Sequence, residues 1–215
     1  MNTLRRFAVC ITLAFAHDSF AYDIVNHFDL SGAAFKASVL TKPKSLERLG
    51  LQAIAKGQRF PATSGSDIPQ FSEGSSQCAH GVLLPVELLV SCGAMFEDVP
   101  GTRSLNHFYD PAHAGRPLTI GAALGRASPD WALEDNGNVT PQEFSYKAAR
   151  SNLFLAMSAT ESLTKRDEYW GKVFQSVGQV VHHLQDMAQP QHVRNDDHFE
   201  LPVNIPGVTN PSVYT

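Results

Sequence analysis

Apolar residues recur at helical intervals through most of the chain, and no stretch alternates apolar and polar positions for long enough to build a sheet. Leu30, Ala33, Ala34, Ala37 and Leu40 predict a helix over 28–41, and Leu46, Leu49 and Ile54 predict another over 45–56. Leu83, Leu84, Val86, Leu88, Leu89 and Val90 predict a buried helix over 82–95, its start restricted by Pro85. Phe144, Ala148, Leu153, Leu155 and Ala156 give a buried stripe to a helix over 141–163. Its start is marked by Thr140-Pro-Gln-Glu143: Thr140 can accept an amide bond, Pro141 suits the first helical position, and Glu143 reaches back. Asp167 is expected to cap the next helix, where Val173, Val177, Val180, Leu184 and Met187 repeat at core spacing. Gly, Ser, Pro and Gln make 57–80 an irregular loop, and 115–138 is loop-rich with a short helical candidate at 120–124. There is no internal repeat, and the expected class is all-α.

Composition narrows the picture. A chain of 215 residues, 43% hydrophobic and 18% charged, can form one domain with a real core. A net charge of −4 provides no basic footprint, so no stable nucleic-acid complex is expected. Action on single strands through metal ions and stacking stays open, with Phe108, Tyr109 and Trp131 as the aromatic candidates. Arg5-Arg6, an apolar run over 7–16 and Ser19-Phe20-Ala21 read as a signal peptide over 1–21, with Tyr22 as the first residue after cleavage. The run is too short to span a bilayer, and export to the periplasm or beyond is expected. Residues 22–215 then form the mature domain. Cys78 and Cys92 remain as an even pair, either closing a short loop in an oxidising compartment or lying buried as free thiols.

The most specific chemistry lies in Val181-His-His-Leu-Gln-Asp-Met-Ala-Gln-Pro-Gln-His192. His182 and Asp186 stand four apart, one helical turn, on one face. They fall beside the apolar stripe rather than on it. Pro190 ends the helix, and the turn can fold His192 back toward the pair. Two imidazoles and a carboxylate converging this way form a ligand set that zinc prefers. Glu97, Asp98 and His107 form a second cluster upstream, with Asp98 favoured over Glu97 and with packing beside Phe108 and Tyr109 as the bland reading of His107. His183 reads as a surface or satisfied core histidine. His80 and His113 fall in loops, and Arg194 and Asn195 either contact phosphate or cap a loop.

The spacing His182-x3-Asp186-x5-His192 with Gln189-Pro190 between resembles the zinc-dependent phospholipase C and single-strand-specific nuclease superfamily. Gly93-Ala-Met-Phe-Glu-Asp98 followed by Leu105-Asn-His-Phe-Tyr-Asp-Pro111 is similar to that family's earlier aspartate and histidine ligands, at a shorter interval. Family members also use their first mature residue and a histidine five positions on, here Tyr22 and His27, although the first is more typically Trp. The resemblance implies a helical enzyme with up to three zinc ions. Asp98, His107, His182 and Asp186 would hold one ion; Tyr22 and His27 would hold a second, with Asp186 bridging; His192 would begin a third.

It further implies hydrolysis of a phosphodiester by a metal-activated water, with Asp98 and Asp186 as the catalytic carboxylates. A phospholipid substrate, reached by transient contact with a membrane surface, is the first expectation, and a single-strand-specific nuclease the alternative. The family completes its third site with a later histidine and an acidic residue. No His follows His198 and no Asp or Glu follows Glu200, so the sequence reads as the front part of a longer protein or a truncated one. A catalytically inactive metal-binding domain is therefore a third expectation, and near-inactivity of the 215-residue chain follows from it.

Overall fold

A computed structural model describes residues 24–63, 75–99, 101–120, 123–134, 142–158 and 160–195. The signal segment, Tyr22, Thr140 and Pro141 lie outside them. The described residues are mostly helical, as expected. Helix α1 (Ile24–Ala37) begins earlier than its apolar spacing predicts and runs into a 3-10 turn at Val39–Thr41, capped by Ser38. The expected helix over 45–56 is instead two short ones, α2 (Pro43–Arg48) and α3 (Gln52–Ala55). Gly50 parts them with a φ of 76°, a left-handed conformation that costs glycine little.

Two residue pairs form the first small ladder: β1 (Phe60–Pro61) runs antiparallel to β2 (Leu83–Leu84). Helix α4 (Val86–Phe96) starts directly after Pro85, where the missing amide of that proline is harmless. The short helix expected at 120–124 is not there. β3 (Thr119–Ile120) pairs with β4 (Ala123–Leu124) instead, a run too short for apolar content to distinguish helix from strand. Then come α5 (Ser128–Leu133), α6 (Tyr146–Ser158), α7 (Leu163–Asp186) and α8 (Pro190–Arg194).

The capping expectations need correction. Helix α6 begins five residues after Pro141, and the Ser145 hydroxyl accepts the Ala148 amide there. Helix α7 is capped by Ser162, whose hydroxyl accepts the Lys165 amide, whereas Asp167 accepts a bond from Gln58 Nε2. Ser162 has extended backbone and a side chain that reaches the first free amides, which is what an N-cap requires.

Helix α7 is the spine, lying against α1, α4, α5 and α6. Its closest neighbour is α4. A Cβ on Gly93 would collide with the Gln175 carbonyl and one on Gly178 with the Val90 carbonyl, so the two backbones touch where each helix lacks a side chain. Cys78 and Cys92 form a disulfide that ties the segment before β2 to the middle of α4.

Along α7 the buried face changes character. Val173 and Phe174 join Phe60, Leu89 and Phe96 in the apolar core. Beyond them the buried residues are Gly178 and a polar set, Gln175, Ser176, Gln179, His182, His183 and Asp186. The stripe expected to be core turns outward at its end: Leu184 is 68% exposed. In α6, Leu155 is likewise exposed while Ala156 is buried. A helix therefore hides a row of amides, imidazoles and a carboxylate at the spacing usually given to leucines, which is unfavourable unless each group finds a partner.

Candidate metal centre

Five segments deliver ligand-type side chains to one place. Helix α1 gives His27, the turn after α4 gives Glu97 and Asp98, the end of a 3-10 turn (Gly101–Asn106) gives His107, α7 gives His182, His183 and Asp186, and α8 gives His192. The return of His192 follows from local chemistry. The Gln189 amide bonds the Asp186 carbonyl, Pro190 opens α8, and His192 Nδ1 donates to the His107 carbonyl at 3.1 Å. The Tyr109 amide donates back to the His192 carbonyl, pinning the two segments together.

Asp98 and Asp186 both crowd His107 and His182. Asp186 Oδ2 is 3.1 Å from His107 Nδ1 and 3.2 Å from His182 Nε2. Those two nitrogens are 3.2 Å apart. Asp98 Oδ1 lies 3.4 Å from His107 Nδ1 and 3.8 Å from His182 Nε2. The other oxygen of Asp186 turns toward His27, whose Nε2 is 3.5 Å away. His192 Nδ1 stands 3.6 Å from Asp186 Oδ2.

Backbone and amide partners fix which nitrogens face inward. His182 Nδ1 sits 2.8 Å from the Ala94 carbonyl, which can only accept, so Nδ1 carries the proton and Nε2 presents a lone pair. His27 Nδ1 is 2.6 Å from Gln185 Oε1, and Gln185 Nε2 in turn donates to Ser31 Oγ. That orientation also leaves His27 Nε2 pointing a lone pair toward Asp186. Electron-rich atoms thus converge with no proton between several of them. Both Asp186 oxygens are buried and accept no well-aligned hydrogen bond, although His107 Nδ1 and His182 Nε2 stand within 3.2 Å of Oδ2. A buried carboxylate left in this way would be strongly unfavourable by itself, and a cation held there would offset it. Groups drawn from these residues can hold a metal ion.

The titration of the site reflects the same crowding. Burial opposes charge on His107, yet the Asp186 carboxylate beside it wins and pushes the imidazole up to about 10. Burial likewise opposes ionised Asp186, but His182 and His107 hold it well below the usual carboxylate range. His27 is lowered, by burial and then by His182, with which it stacks at a ring separation of 3.8 Å.

Behind this set lies a second buried layer that the sequence reading did not assign. Glu97 does not share the cluster's interior with Asp98. Its Oε2 accepts from Arg103 at 2.6 Å and its Oε1 from Trp131 Nε1 at 2.6 Å. Arg103 also donates to Gln179 and Gln142. His183, read from sequence as a bland histidine, is buried with Nε2 3.2 Å from Glu97 Oε1 and Nδ1 2.9 Å from Ser128 Oγ. Arg103 outweighs burial and keeps Glu97 ionised, well below its ordinary range. The signal was present in α7 as the row Gln175, Gln179 and His183, polar residues four apart among the valines of the helix's second half.

Other candidates fall elsewhere. Phe108 and Trp131 are fully buried, and Phe108 stacks on His192 at 4.7 Å. His80 is exposed and His113 pairs with Asp110 at the surface. Asn195 closes a loop by donating to the Arg116 and Pro117 carbonyls. Tyr22 lies outside the described residues. No family model, curated protein or solved structure matches the chain.

Proposed function

We propose that this chain is a zinc-dependent phosphodiester hydrolase of phospholipase C type, cleaving phospholipids on the glycerol side of the phosphate. The observation that carries the reading is the spacing of Asp98, His107, His182 and Asp186. In a tetrahedral zinc site, bonds of about 2.0–2.2 Å place ligand atoms roughly 3.3–3.6 Å apart. Five of the six separations in this set run from 3.1 to 3.8 Å, and they bracket that value. Two imidazoles with two carboxylates also match the borderline character of zinc better than the all-oxygen preference of calcium or magnesium.

Asp186 presents one oxygen to His107 and His182 and the other to His27, which supports a role in holding two ions; by the resemblance Tyr22 would belong to the second and His192 to a third. Bound zinc supplies a hydrolytic water at neutral pH and offsets charge on the phosphate oxygens. The protein's own groups orient the ligands: the Ala94 carbonyl holds His182 and Gln185 holds His27. Asp98, with 20% of its side chain exposed, is where the cluster meets solvent and a phosphate can approach. Burial of Phe108 and Trp131 takes two of the three aromatic candidates away from base stacking, which favours lipid over single-stranded nucleic acid. The Cys78–Cys92 disulfide supports the exported setting.

The test is zinc uptake by the purified protein followed by hydrolysis of phosphatidylcholine vesicles and of single-stranded DNA, with enzyme in excess so that a slow rate is seen. Release of phosphocholine with little DNA cleavage is expected. Preferential DNA cleavage, or failure to take up zinc, overturns the reading. Zinc uptake with neither activity is the result expected of a metal-binding domain that does not hydrolyse.

A further inference from the structure

Three of the four imidazoles around Asp186 have Nδ1 engaged by an acceptor pointing away from the carboxylate or by backbone: His182 by the Ala94 carbonyl, His27 by Gln185, and His192 by the His107 carbonyl. His107 is the exception. Its Nδ1 faces Asp98, Asp186 and His182, and its Nε2 faces outward to Glu97 Oε1 at 3.7 Å. That Nε2 is buried and makes no hydrogen bond. We propose that Glu97 is a positioning residue that makes His107 an Nδ1 ligand, its Oε1 accepting a hydrogen bond from the protonated Nε2 when a metal is bound.

The chemistry of Glu97 fits this role and not that of a ligand. Both Glu97 oxygens accept short bonds, from Arg103 and from Trp131, which draw charge from the carboxylate and weaken it as a donor to an ion while leaving it able to accept further hydrogen bonds. A cation between Glu97, His107 and His183 would also stand beside the Arg103 guanidinium. The same bonds make Glu97 a fixed anion. Arg103 is itself held by the Glu97 carbonyl, Gln142 and Gln179, so the carboxylate cannot swing toward solvent or toward the metal. A fixed carboxylate behind a ligating histidine sets its tautomer and raises the basicity of the ligating nitrogen. His183 is the other imidazole beside Glu97 Oε1, its Nε2 3.2 Å away. Its Nδ1 faces the Ser128 hydroxyl, which can donate to it and so direct its Nε2 proton toward Glu97.

The inference rests on the zinc reading of the centre, and the experiment separates the two. Metal-free protein carrying nitrogen-15 histidine is titrated with zinc, and the imidazole nitrogens are observed by NMR in wild type, Glu97→Gln and Trp131→Phe. His107 is assigned by its loss in His107→Gln. The expected result is a His107 signal with Nδ1 bound to metal and Nε2 protonated, while His182 and His27 bind through Nε2. Zinc affinity should fall about 10–100-fold in Glu97→Gln, and less in Trp131→Phe, which keeps the carboxylate but frees one of its oxygens. Coordination of His107 through Nε2 overturns the proposal even if the Gln variant does not fold. So does a folded Glu97→Gln protein that binds zinc as tightly as wild type. Failure of wild type to bind zinc refutes the centre itself.

Discussion

His107 Nδ1 lies 3.1 Å from Asp186 Oδ2, both side chains buried, so a proton and a metal ion compete for the same lone pair. In the metal-free protein the imidazole is pushed up to about 10, above its ordinary 6.5. The stability this provides is complete below 6.5 and is lost as pH rises toward 10. Asp186 runs the other way: its contribution is present above the ordinary carboxylate value of 3.8 and is lost as pH falls through its lowered value. Metal-free protein should therefore melt at a lower temperature at pH 9 than at pH 6, while the zinc-loaded form gains over that interval as the competing proton leaves. Parallel melting curves for the two forms would show that zinc does not occupy this nitrogen.

Replacing Asp186 by Asn keeps the shape and removes the charge that both ligand groups share. Most bound zinc should be lost, measured as metal per protein after dialysis. His182→Ala should do the same and also leaves the Ala94 carbonyl without its buried donor, which costs about 1–3 kcal/mol in stability. Unchanged zinc content in both variants would refute the ligand assignment.

The crossing of α4 and α7 predicts a steric effect without any metal. Gly178→Ala drives a methyl group into the Val90 carbonyl, where neither backbone can yield without parting the helices. A loss of about 1–3 kcal/mol or more in urea unfolding is expected. Leu184→Ser, on the same helix, should change stability by less than about 0.5 kcal/mol because that side chain faces solvent.

Removing the disulfide with Cys78→Ala and Cys92→Ala together should cost about 3 kcal/mol, the scale for closing a loop of this length. Chemical denaturation under non-reducing conditions gives the value. A double variant as stable as wild type would mean that β1, β2 and α4 hold that loop without the cross-link.

What the sequence discloses about this molecule depends on how far its signals reach. His182, Asp186 and His192 are legible because a helical turn and a proline act within a few residues, and the structure brings them together with His27, Asp98 and His107. Glu97, Arg103 and Trp131 are not legible as a network, because their partnership depends on a turn after α4, a 3-10 segment and α5 meeting in space. Periodicity locates α4 and α7 but misreads the face of α7, since Val180 and Leu184 share a spacing that Gln175, Gln179, His182 and Asp186 satisfy equally well. Caps are misplaced for a similar reason: Asp167 and Ser162 both suit an N-cap, and only the backbone around Ser162 decides between them.

Cys92, Gly93 and Ala94 occupy a single turn of α4, and each has a different assignment. One side chain is committed to a covalent cross-link, the next position admits no side chain at all, and the third lends its carbonyl to His182. Three unrelated constraints on adjacent positions leave this turn with almost no room to drift. In a saturation library selected for zinc retention it should stand out as an intolerant island, bordered by Leu88 on one side and by the more permissive rim at Asp98 on the other.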